Sequence, residues 1–575
     1  MFKLFRFLKP YAMVVTGILV LLFFQSIAEL YLPTLMSDIV NTGIVKGDTN
    51  YILRIGGFML IVAAVSGFCT ILASFLSSKV ATKFGRDIRK KVFSRVESFS
   101  LNEFDKVGTA SLITRTTNDI MQVQQVTILI LRMMISAPLM CIGGIIMAVS
   151  KDAELSLILV VVIPVLAGII ALVATKGVPL FKAMQVKLDK LNLVVRENLI
   201  GMRVIRAFNR IDDEKIRFTE ANSDLTNTAI KVNKIMAVLM PAMMIMMNLT
   251  SVAIIWFGGI RIDSGKMQVG DMMAFIQYAM QIMFSLIMVS MMFVMIPRAE
   301  ASAVRINEVL DMKPEINDPT EPKNNEKERG YIEFKDVTFS YPGAEQPAIS
   351  NISFSAKPGE ITAIIGGTGS GKSTLISLIP RFYDIDSGSI LVDGMDIREM
   401  SQENLRKKIG FVPQKAVLFT GTISDNIRYG KEDANDMEIR HASEIAQASE
   451  FVSNMKEGYD SMIAQGGSNV SGGQKQRLAI ARALVRRPEI FIFDDSFSAL
   501  DFKTDAKLRA ALKSEIKEST AIIVAQRVST VIDADRIIVL DEGGIAGIGT
   551  HKTLLNDCEI YREIVSSQLS EEELA

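Results

Sequence analysis

A glycine-rich stretch, flanked by two apolar runs, is the part of the sequence best suited to chemistry. The run Ile361–Ile365 has the composition of a strand, and the run Leu375–Ile379 that of a helix. A G-x-x-x-x-G-K-[ST] between a strand and a helix cradles phosphates with inward-turned backbone N–H groups. Lys372 should reach the β- and γ-phosphate oxygens, and Ser373 should offer its hydroxyl to Mg²⁺. The residues predicted to bind a nucleoside triphosphate here are Gly366, Gly367, Thr368, Gly369, Ser370, Gly371, Lys372, Ser373 and Thr374.

Further motifs around this loop complete a phosphate chemistry. The run Ile490–Asp494 is an apolar strand that ends in acids, an arrangement in which Asp494 holds Mg²⁺. Phe411-Val412-Pro413-Gln414 puts a glutamine at a strand end. An aromatic residue shortly before the loop can stack on adenine, and Tyr341 is the candidate. A second anion site, without a lysine, is predicted where a helix opens at Ser471, Gly472, Gly473 and Gln474.

The amino-acid composition is uneven along the 575 residues of the chain that carries these motifs. A chain of this length should form several domains. The apolar excess lies in residues 1–300, whereas residues 325–575 resemble a soluble α/β domain. The net charge is zero, which gives no argument for a nucleic-acid partner. The cysteines Cys69, Cys141 and Cys558 lack metal-ligand spacing and do not indicate a disulfide framework.

Six stretches approach the roughly 20 apolar residues that cross a bilayer. Two long connectors between them, 79–125 and 177–235, are rich in Lys and Arg, which predicts that they and both termini are cytoplasmic. Their helical periodicity predicts that the spans extend into the cytoplasm, with turns near 104–108 and 208–210. The basic, apolar N-terminus is expected to form an interfacial helix rather than a removed signal peptide. The predicted spans are roughly 13–35, 55–78, 126–150, 154–176, 236–259 and 272–296.

The spans contain two features whose roles the sequence leaves open. Between Met236 and Met295 lie 15 of the 32 methionines, which suits a surface that repacks around varied apolar ligands but equally suits helix packing. Glu29 and Arg132 are ionisable residues within spans, and such residues are usually functional. Snorkelling or a water-filled cavity would also explain either one, so neither is assigned.

The order of these elements resembles the ATP-binding cassette (ABC) transporters across the whole chain. The layout of six spans and then a cassette is similar to exporter half-transporters of multidrug type. The resemblance implies an α-helical six-span transmembrane domain (1–310), a linker (311–330) and an α/β P-loop nucleotide-binding domain (331–575). It also implies two subunits that sandwich ATP between the P-loop of one and the Ser-Gly-Gly signature of the other. By the same resemblance, Gln414 is the Q-loop residue and a further Mg²⁺ contact, and Asp501 is the D-loop residue. The segments near 104–108 and 208–213 would be the coupling helices.

Two positions depart from the family pattern, and both lie in the catalytic shell. The family places Glu after the Walker B aspartate, where this chain has Asp495. The family places His in the switch loop, where this chain has Gln526. Glutamine can donate a hydrogen bond to the γ-phosphate but cannot carry an imidazolium charge. The intact signature, which acts on the partner's nucleotide, predicts a heterodimer whose other subunit supplies the missing Glu and His.

The expected function is ATP-driven export of hydrophobic or amphipathic compounds across the plasma (inner) membrane, with ATP and Mg²⁺ as cofactors. The expected partners are a second half-transporter, the lipid bilayer and a small amphipathic substrate, without nucleic acid. A lipid or peptide exporter, a slow homodimeric ATPase and a regulatory ATP-gated membrane protein are the alternatives. The six spans exclude a soluble cassette ATPase, and an importer usually has separate membrane and ATPase chains.

Overall fold

The computed structural model describes residues 1–323 and 329–568, which divide into two compact units. The first unit contains Met1–Glu97 and Thr109–Met312, and the second contains Ser98–Gly108 and the chain from Lys313 onward. Residues 324–328 of the predicted linker and residues 569–575 of the predicted cassette domain lie outside the described residues.

Six long helical segments, of 43 to 53 residues each, make up the first unit, and each contains an apolar stretch long enough to cross a membrane. The prediction of six spans is therefore confirmed. Their elements are α1 (Phe2–Phe5), a 3₁₀ turn (Arg6–Tyr11), α2 (Ala12–Asp38), a π-helical turn (Ile39–Ile44), α3 (Thr49–Glu97), α5 (Thr109–Thr116), α6 (Asn118–Lys151), α7 (Leu157–Ile200), α8 (Met202–Ala207), α9 (Ile211–Asp263) and α10 (Val269–Asp311). The short α4 (Leu101–Val107), which follows α3 in the chain, belongs to the second unit.

The helices run well beyond their apolar stretches, because backbone hydrogen bonds in a helix do not depend on apolar side chains. The polar segment 36–54 between the first two predicted spans is mostly helical, and the chain turns at Gly47, whose φ is 67°. The turn predicted at 208–210 is present between α8 and α9. The break predicted at 104–108 was wrong for most of its length, because α4 continues through Val107.

A capping box explains why α4 forms where the periodicity is weak. The buried Glu103 carboxylate accepts hydrogen bonds from the Ser100 backbone N–H and the Ser100 hydroxyl, both at 2.6 Å. Such reciprocal caps satisfy N–H groups that a helix start otherwise leaves without partners. The same carboxylate accepts a bond of 2.9 Å from the Glu315 backbone N–H. The helix ends at Gly108, whose φ of 79° suits glycine.

Polar contacts between helices fix the packing of the first unit. Lys151 donates to Asp271 at 2.8 Å, and Ser37 donates to the same carboxylate oxygen at 2.7 Å. The buried Asp119 is paired with Arg305. Such pairing is needed wherever a charge is removed from water.

The second unit carries three sheets of different size. Its strands are β1 (Ile332–Phe339), β2 (Ile349–Ala356), β3 (Ile361–Gly366), β4 (Ser387–Val392), β5 (Met395–Asp396), β6 (Ile409–Val412), β7 (Gly421–Thr422), β8 (Met462–Ile463), β9 (Ile490–Asp494), β10 (Thr520–Val524), β11 (Arg536–Asp541) and β12 (Gly544–Gly549). A six-stranded sheet has the order β12-β11-β3-β10-β9-β6, in which all pairs except β11–β12 are parallel. An antiparallel sheet has the order β2-β1-β4-β5, and β7 pairs with β8.

The central parallel strands are buried on both faces, which is why their sequences are continuous apolar runs rather than alternating ones. All five residues of β9 and all five of β10 are buried. The carboxyl ends of these strands bring the site residues to one edge of the sheet. The helices of this unit are α11 (Lys372–Leu378), α12 (Gln402–Lys407), α13 (Ile423–Arg428), α14 (Asp436–Ile445), α15 (Ser449–Ser453), α16 (Gly472–Leu484), α17 (Phe502–Glu515), α18 (Val528–Val531), α19 (His551–Asp557) and α20 (Glu559–Ser566).

Candidate nucleotide-binding site

The loop between β3 and α11 has the backbone that a phosphate cradle needs. Gly369 and Gly371 have φ angles of 86° and 93°, which L side chains rarely adopt. A Cβ at Gly366 would lie 2.2 Å from the Leu540 carbonyl oxygen, and one at Gly371 would lie 2.8 Å from the Ala348 carbonyl oxygen. These glycines are therefore required by the turn itself.

The ammonium group of Lys372 lies against the carbonyl oxygens of its own P-loop. Its ammonium donates to the carbonyl oxygens of Gly366 at 2.8 Å and Gly367 at 2.6 Å, so it curls back onto its own loop. Burial lowers the pKa of Lys372, and the carboxylates of Asp495 and Asp494 oppose that effect. The ammonium also lies 3.4 Å from the Ser370 hydroxyl oxygen, and an ammonium bonded to neutral oxygens gains from a nearby anion, which fits the polyphosphate of a nucleotide.

Asp494 and Ser373 form the oxygen pair that suits a hard divalent cation. The Ser373 hydroxyl donates to Asp494 Oδ1 at 3.0 Å, and Asp494 is buried at the end of β9. Burial raises the pKa of Asp494, and the neighbouring Asp495 raises it further, whereas the bond from Ser373 lowers it. Mg²⁺ would stabilise the ionised carboxylate against these effects, and the two side chains are suitable ligands for it.

Asp495 and Gln414 meet beside this pair. Gln414 Nε2 lies 3.3 Å from Asp495 Oδ2, a long hydrogen bond that places the Q-loop residue next to the second acid. Asp495 has a φ of 43°, and its backbone N–H donates to the Val524 carbonyl at 3.0 Å. The structure thus brings Gln414, Asp494 and Asp495 together from β6 and β9, as parallel strand ends predict.

Gln526 follows the end of the neighbouring strand β10, and its side chain is exposed. Its backbone is held by Gln568, whose Nε2 donates to the Gln526 carbonyl at 2.8 Å. Gln568 Oε1 also accepts a hydrogen bond from the Val528 N–H at 2.9 Å. One side chain therefore bonds to both ends of residues 526–528, the switch segment. Sequence reasoning missed Gln568, because no local pattern signals a contact across 42 residues.

Tyr341 lies beside the helix that follows the P-loop. Its hydroxyl is 3.0 Å from Thr374 Oγ1, and its ring packs edge-on against Phe339 and Tyr383. About two fifths of its surface is exposed (39%), which leaves a face available for stacking. Desolvation raises the pKa of the adjacent Tyr383 to about 12, so that phenol stays neutral. The aromatic rings of this corner make it better suited to a base than to a phosphate.

The signature residues form the start of α16. Ser471 accepts a bond of 3.3 Å from the Gln474 N–H, and Gln474 Oε1 accepts one of 2.9 Å from the Ser471 N–H. Ser471 and Gly472 are exposed, and a Cβ at Gly473 would lie 3.1 Å from the Ala499 carbonyl oxygen. Within the described residues, the side chains of Ser471 and Gln474 bond inside this capping box rather than to the P-loop.

Asp501 caps the following helix. It accepts bonds from the Thr504 N–H at 2.9 Å and the Thr504 hydroxyl at 2.8 Å, and these bonds hold its pKa below the ordinary value. This cap alone accounts for an aspartate at the start of α17.

A six-span membrane unit joined to a P-loop unit of this geometry defines an ATP-driven membrane transporter. Comparison with family models supports that class, since residues 15–286 match the ABC transporter transmembrane region and residues 349–498 match the ABC transporter model. The chain belongs to the ABC transporter family. Its domain layout is that of an exporter half-transporter, which works in a membrane and hydrolyses ATP.

Known relatives cover almost the whole chain. An uncharacterized ABC transporter ATP-binding protein of Mycobacterium tuberculosis is 44% identical over 98% of this chain and 97% of its own length. An ATP-dependent lipid A-core flippase of Syntrophus aciditrophicus is 33% identical over 90% of this chain and 86% of its own length. A bacterial Atm1-family ABC exporter solved with ATP bound has a TM-score of 0.80 at 26% identity, with 98% of this chain and 99% of that chain covered.

Proposed function

We propose that this chain is the subunit with an impaired ATP site in a heterodimeric exporter of hydrophobic or amphipathic compounds. The pair Asp495 and Gln526 carries the proposal. An aspartate is one methylene shorter than the glutamate of a competent site, which withdraws its carboxylate by about an ångström. A misplacement of that size costs on the order of 100-fold in rate.

The surroundings of Asp495 support the proposal that its carboxylate is held away from an attacking water. Its carboxylate is buried, and its hydrogen bond from Gln414 Nε2 at 3.3 Å holds it toward the Q-loop residue. Gln526 would add a neutral hydrogen bond where a histidine could add charge. Binding residues are retained by contrast: Lys372, Ser373 and Asp494 keep the arrangement that holds a nucleotide with Mg²⁺.

The signature supports a role for this chain at the other site. Ser471 and Gly472 are exposed at the start of α16, where a nucleotide held by a partner subunit could reach them. We therefore assign hydrolysis mainly to the partner's P-loop, completed by this signature. In this scheme nucleotide retained at the chain's own site keeps the two subunits engaged between cycles, and both termini face the cytoplasm at the plasma (inner) membrane.

The test compares ATP hydrolysis by the purified chain alone with hydrolysis by the chain and its co-purifying partner. The chain alone is expected to hydrolyse ATP slowly, and the pair to hydrolyse it fast. Asp495→Glu combined with Gln526→His should raise the activity of the chain alone about 100-fold with little change in ATP affinity. Asp433→Glu, at an exposed position outside the site, is the matched control. Full activity of the unmodified chain alone would instead establish a competent homodimer.

A lipid exporter is the second candidate, and the similarity to lipid A-core flippases favours it. The methionine-rich spans accept either kind of substrate, since thioether side chains repack around varied apolar shapes. Transport assays in proteoliposomes with a labelled lipid and with a labelled amphipathic dye distinguish the two.

A further inference from the structure

A cavity of about 300 Å³ lies among α2, α3, α6 and α10 of the membrane unit. It is lined by both Glu29 and Arg132, the two ionisable residues that the sequence left without a role. Leu22, Met140 and Phe284 provide apolar wall on the same cavity. Its volume is at the lower end of the range for small-ligand sites, which combine apolar walls with a few polar groups.

The two charges in this cavity are not neutralised by the protein. Among the described residues, neither the Glu29 carboxylate nor the Arg132 guanidinium takes part in an ion pair or a side-chain hydrogen bond, and only their backbone carbonyls accept bonds. Glu29 is half-buried and Arg132 is exposed, whereas the fully buried Asp119 of the same unit is paired with Arg305. An unpaired charge within a membrane span is expensive, so a function is its usual explanation.

Gln281 adds an unsatisfied acceptor to the same wall. Its Oε1 is buried and has no hydrogen-bond partner among the described residues. Its Nε2 makes only a long bond of 3.4 Å to the Glu29 carbonyl oxygen. A buried acceptor without a donor destabilises the fold, and a ligand bearing N–H or O–H groups would relieve that loss.

We infer that this cavity binds a zwitterionic amphiphile. Glu29 and the Gln281 carbonyl take its cationic end, Arg132 takes its anionic end, and the apolar wall takes its hydrocarbon tail. Both charges of such a ligand find an opposite charge, which a purely cationic or purely anionic ligand does not achieve. The inference names a substrate class for the exporter, and so its transport role rests on the proposed function. Binding itself needs no ATP.

The test measures equilibrium binding of three labelled probes to the full chain in nanodiscs, with its partner if one co-purifies and without nucleotide. The probes share a dodecyl tail: dodecyl phosphoethanolamine is zwitterionic, dodecyl phosphate anionic and dodecylammonium cationic, and both ammonium groups carry N–H donors. The variants are Glu29→Gln and Arg132→Gln. Glu220→Gln and Lys46→Gln change exposed charges of the membrane unit outside the cavity and serve as matched controls.

Dodecyl phosphoethanolamine is expected to bind tightest, and each cavity variant to weaken it about 10-fold, as expected for one charge-assisted hydrogen bond. Glu29→Gln should weaken the cationic probe and spare the anionic one, whereas Arg132→Gln should do the reverse. Equal loss for all three probes would indicate general damage to the helices and overturn the inference, as would no loss for any probe. Tail-free phosphoethanolamine that competes as well as the dodecyl compound would overturn the amphiphile assignment.

The same preparations separate this inference from the proposed function. Charge-selective binding together with fast ATP hydrolysis by the chain alone would support the proposed binding site and contradict the proposed heterodimer with an impaired ATP site. A slow ATPase that accelerates on pairing, with no charge-selective binding, would support the heterodimer and overturn the binding site.

Discussion

Asp494 has a carboxylate that suits a bound cation, but its buried charge lowers the stability of the fold when no cation is bound. Its carboxylate is buried next to a second acid and has one hydrogen bond, from Ser373. Burial raises its pKa, so the ionised form is less favoured in the folded protein than in the unfolded chain. The stability that Asp494 contributes is thus fully present below its unfolded pKa and is lost as the pH rises through its raised folded pKa.

We therefore expect Asp494→Asn to raise the melting temperature of the nucleotide-free protein at neutral pH. Asparagine keeps an oxygen that accepts from Ser373 while removing the buried charge. The gain should shrink on acidification, as the native carboxyl takes up its proton. Thermal unfolding between mildly acidic and neutral pH measures this difference, and the same variant should lose Mg²⁺-dependent retention of ATP at this site.

Asp501→Asn is the control with the opposite sign. Bonds from Thr504 lower the pKa of Asp501, so its ionised form stabilises the fold above the unfolded pKa and that stabilisation is lost at acidic pH. This variant should lower the melting temperature at neutral pH. A decrease for both variants would show that Asp494 is held by contacts stronger than its desolvation.

At the scale of elements, the switch segment after β10 depends on the end of the chain. Gln568, just beyond α20, bonds to the Gln526 carbonyl and to the Val528 N–H. Neither partner lies in the regular hydrogen bonding of a long element, since β10 ends at Val524 and α18 has only four residues. The position of Gln526 is therefore set by a remote side chain.

Replacement Gln568→Ala is expected to speed amide hydrogen exchange at Val528 by about 10-fold, because the N–H loses its acceptor. The neighbouring strand β10, which is fully buried, should keep its protection. Arg562→Gln, an exposed change on α20, is the matched control and should leave Val528 unaffected. Unchanged exchange in Gln568→Ala would mean that water or the backbone holds the segment without this clamp.

The sequence predicted those parts of the molecule whose signal is local. Gly366–Thr374 between an apolar strand and a helix, and Ile490–Asp494 ending in acids, both carry their structure in consecutive residues, and both fold as expected. The α4 helix was missed because its stability comes from the Ser100–Glu103 capping box rather than from periodicity. Gln568, and the meeting of Glu29 with Arg132 in one cavity, depend on contacts between distant segments. Periodicity along the chain carries no signal for such contacts.

At the scale of the whole molecule, two parts of this chain would serve two different ATP sites of the proposed heterodimer. The P-loop would bind nucleotide at the chain's own site, and the signature would complete the partner's site. Lys372 would act on the nucleotide of its own site, whereas the exposed Ser471 would act on that of the partner. A subunit with an impaired site of its own can therefore remain essential to turnover. The two roles should separate when each residue is changed singly in the assembled pair.

We expect Ser471→Ala to reduce ATP hydrolysis by the assembled pair at least 10-fold, whereas Lys372→Ala should leave most of it, because hydrolysis takes place mainly at the partner's P-loop. Ser471→Ala also removes a helix cap, a loss of about 1 kcal/mol. Asn435→Ala removes an equivalent capping box from α14 and controls for that loss. Steady-state ATPase assays on the four preparations decide the question. If Lys372→Ala abolishes turnover and Ser471→Ala spares it, the chain's own site performs the hydrolysis and the asymmetry proposed here is reversed.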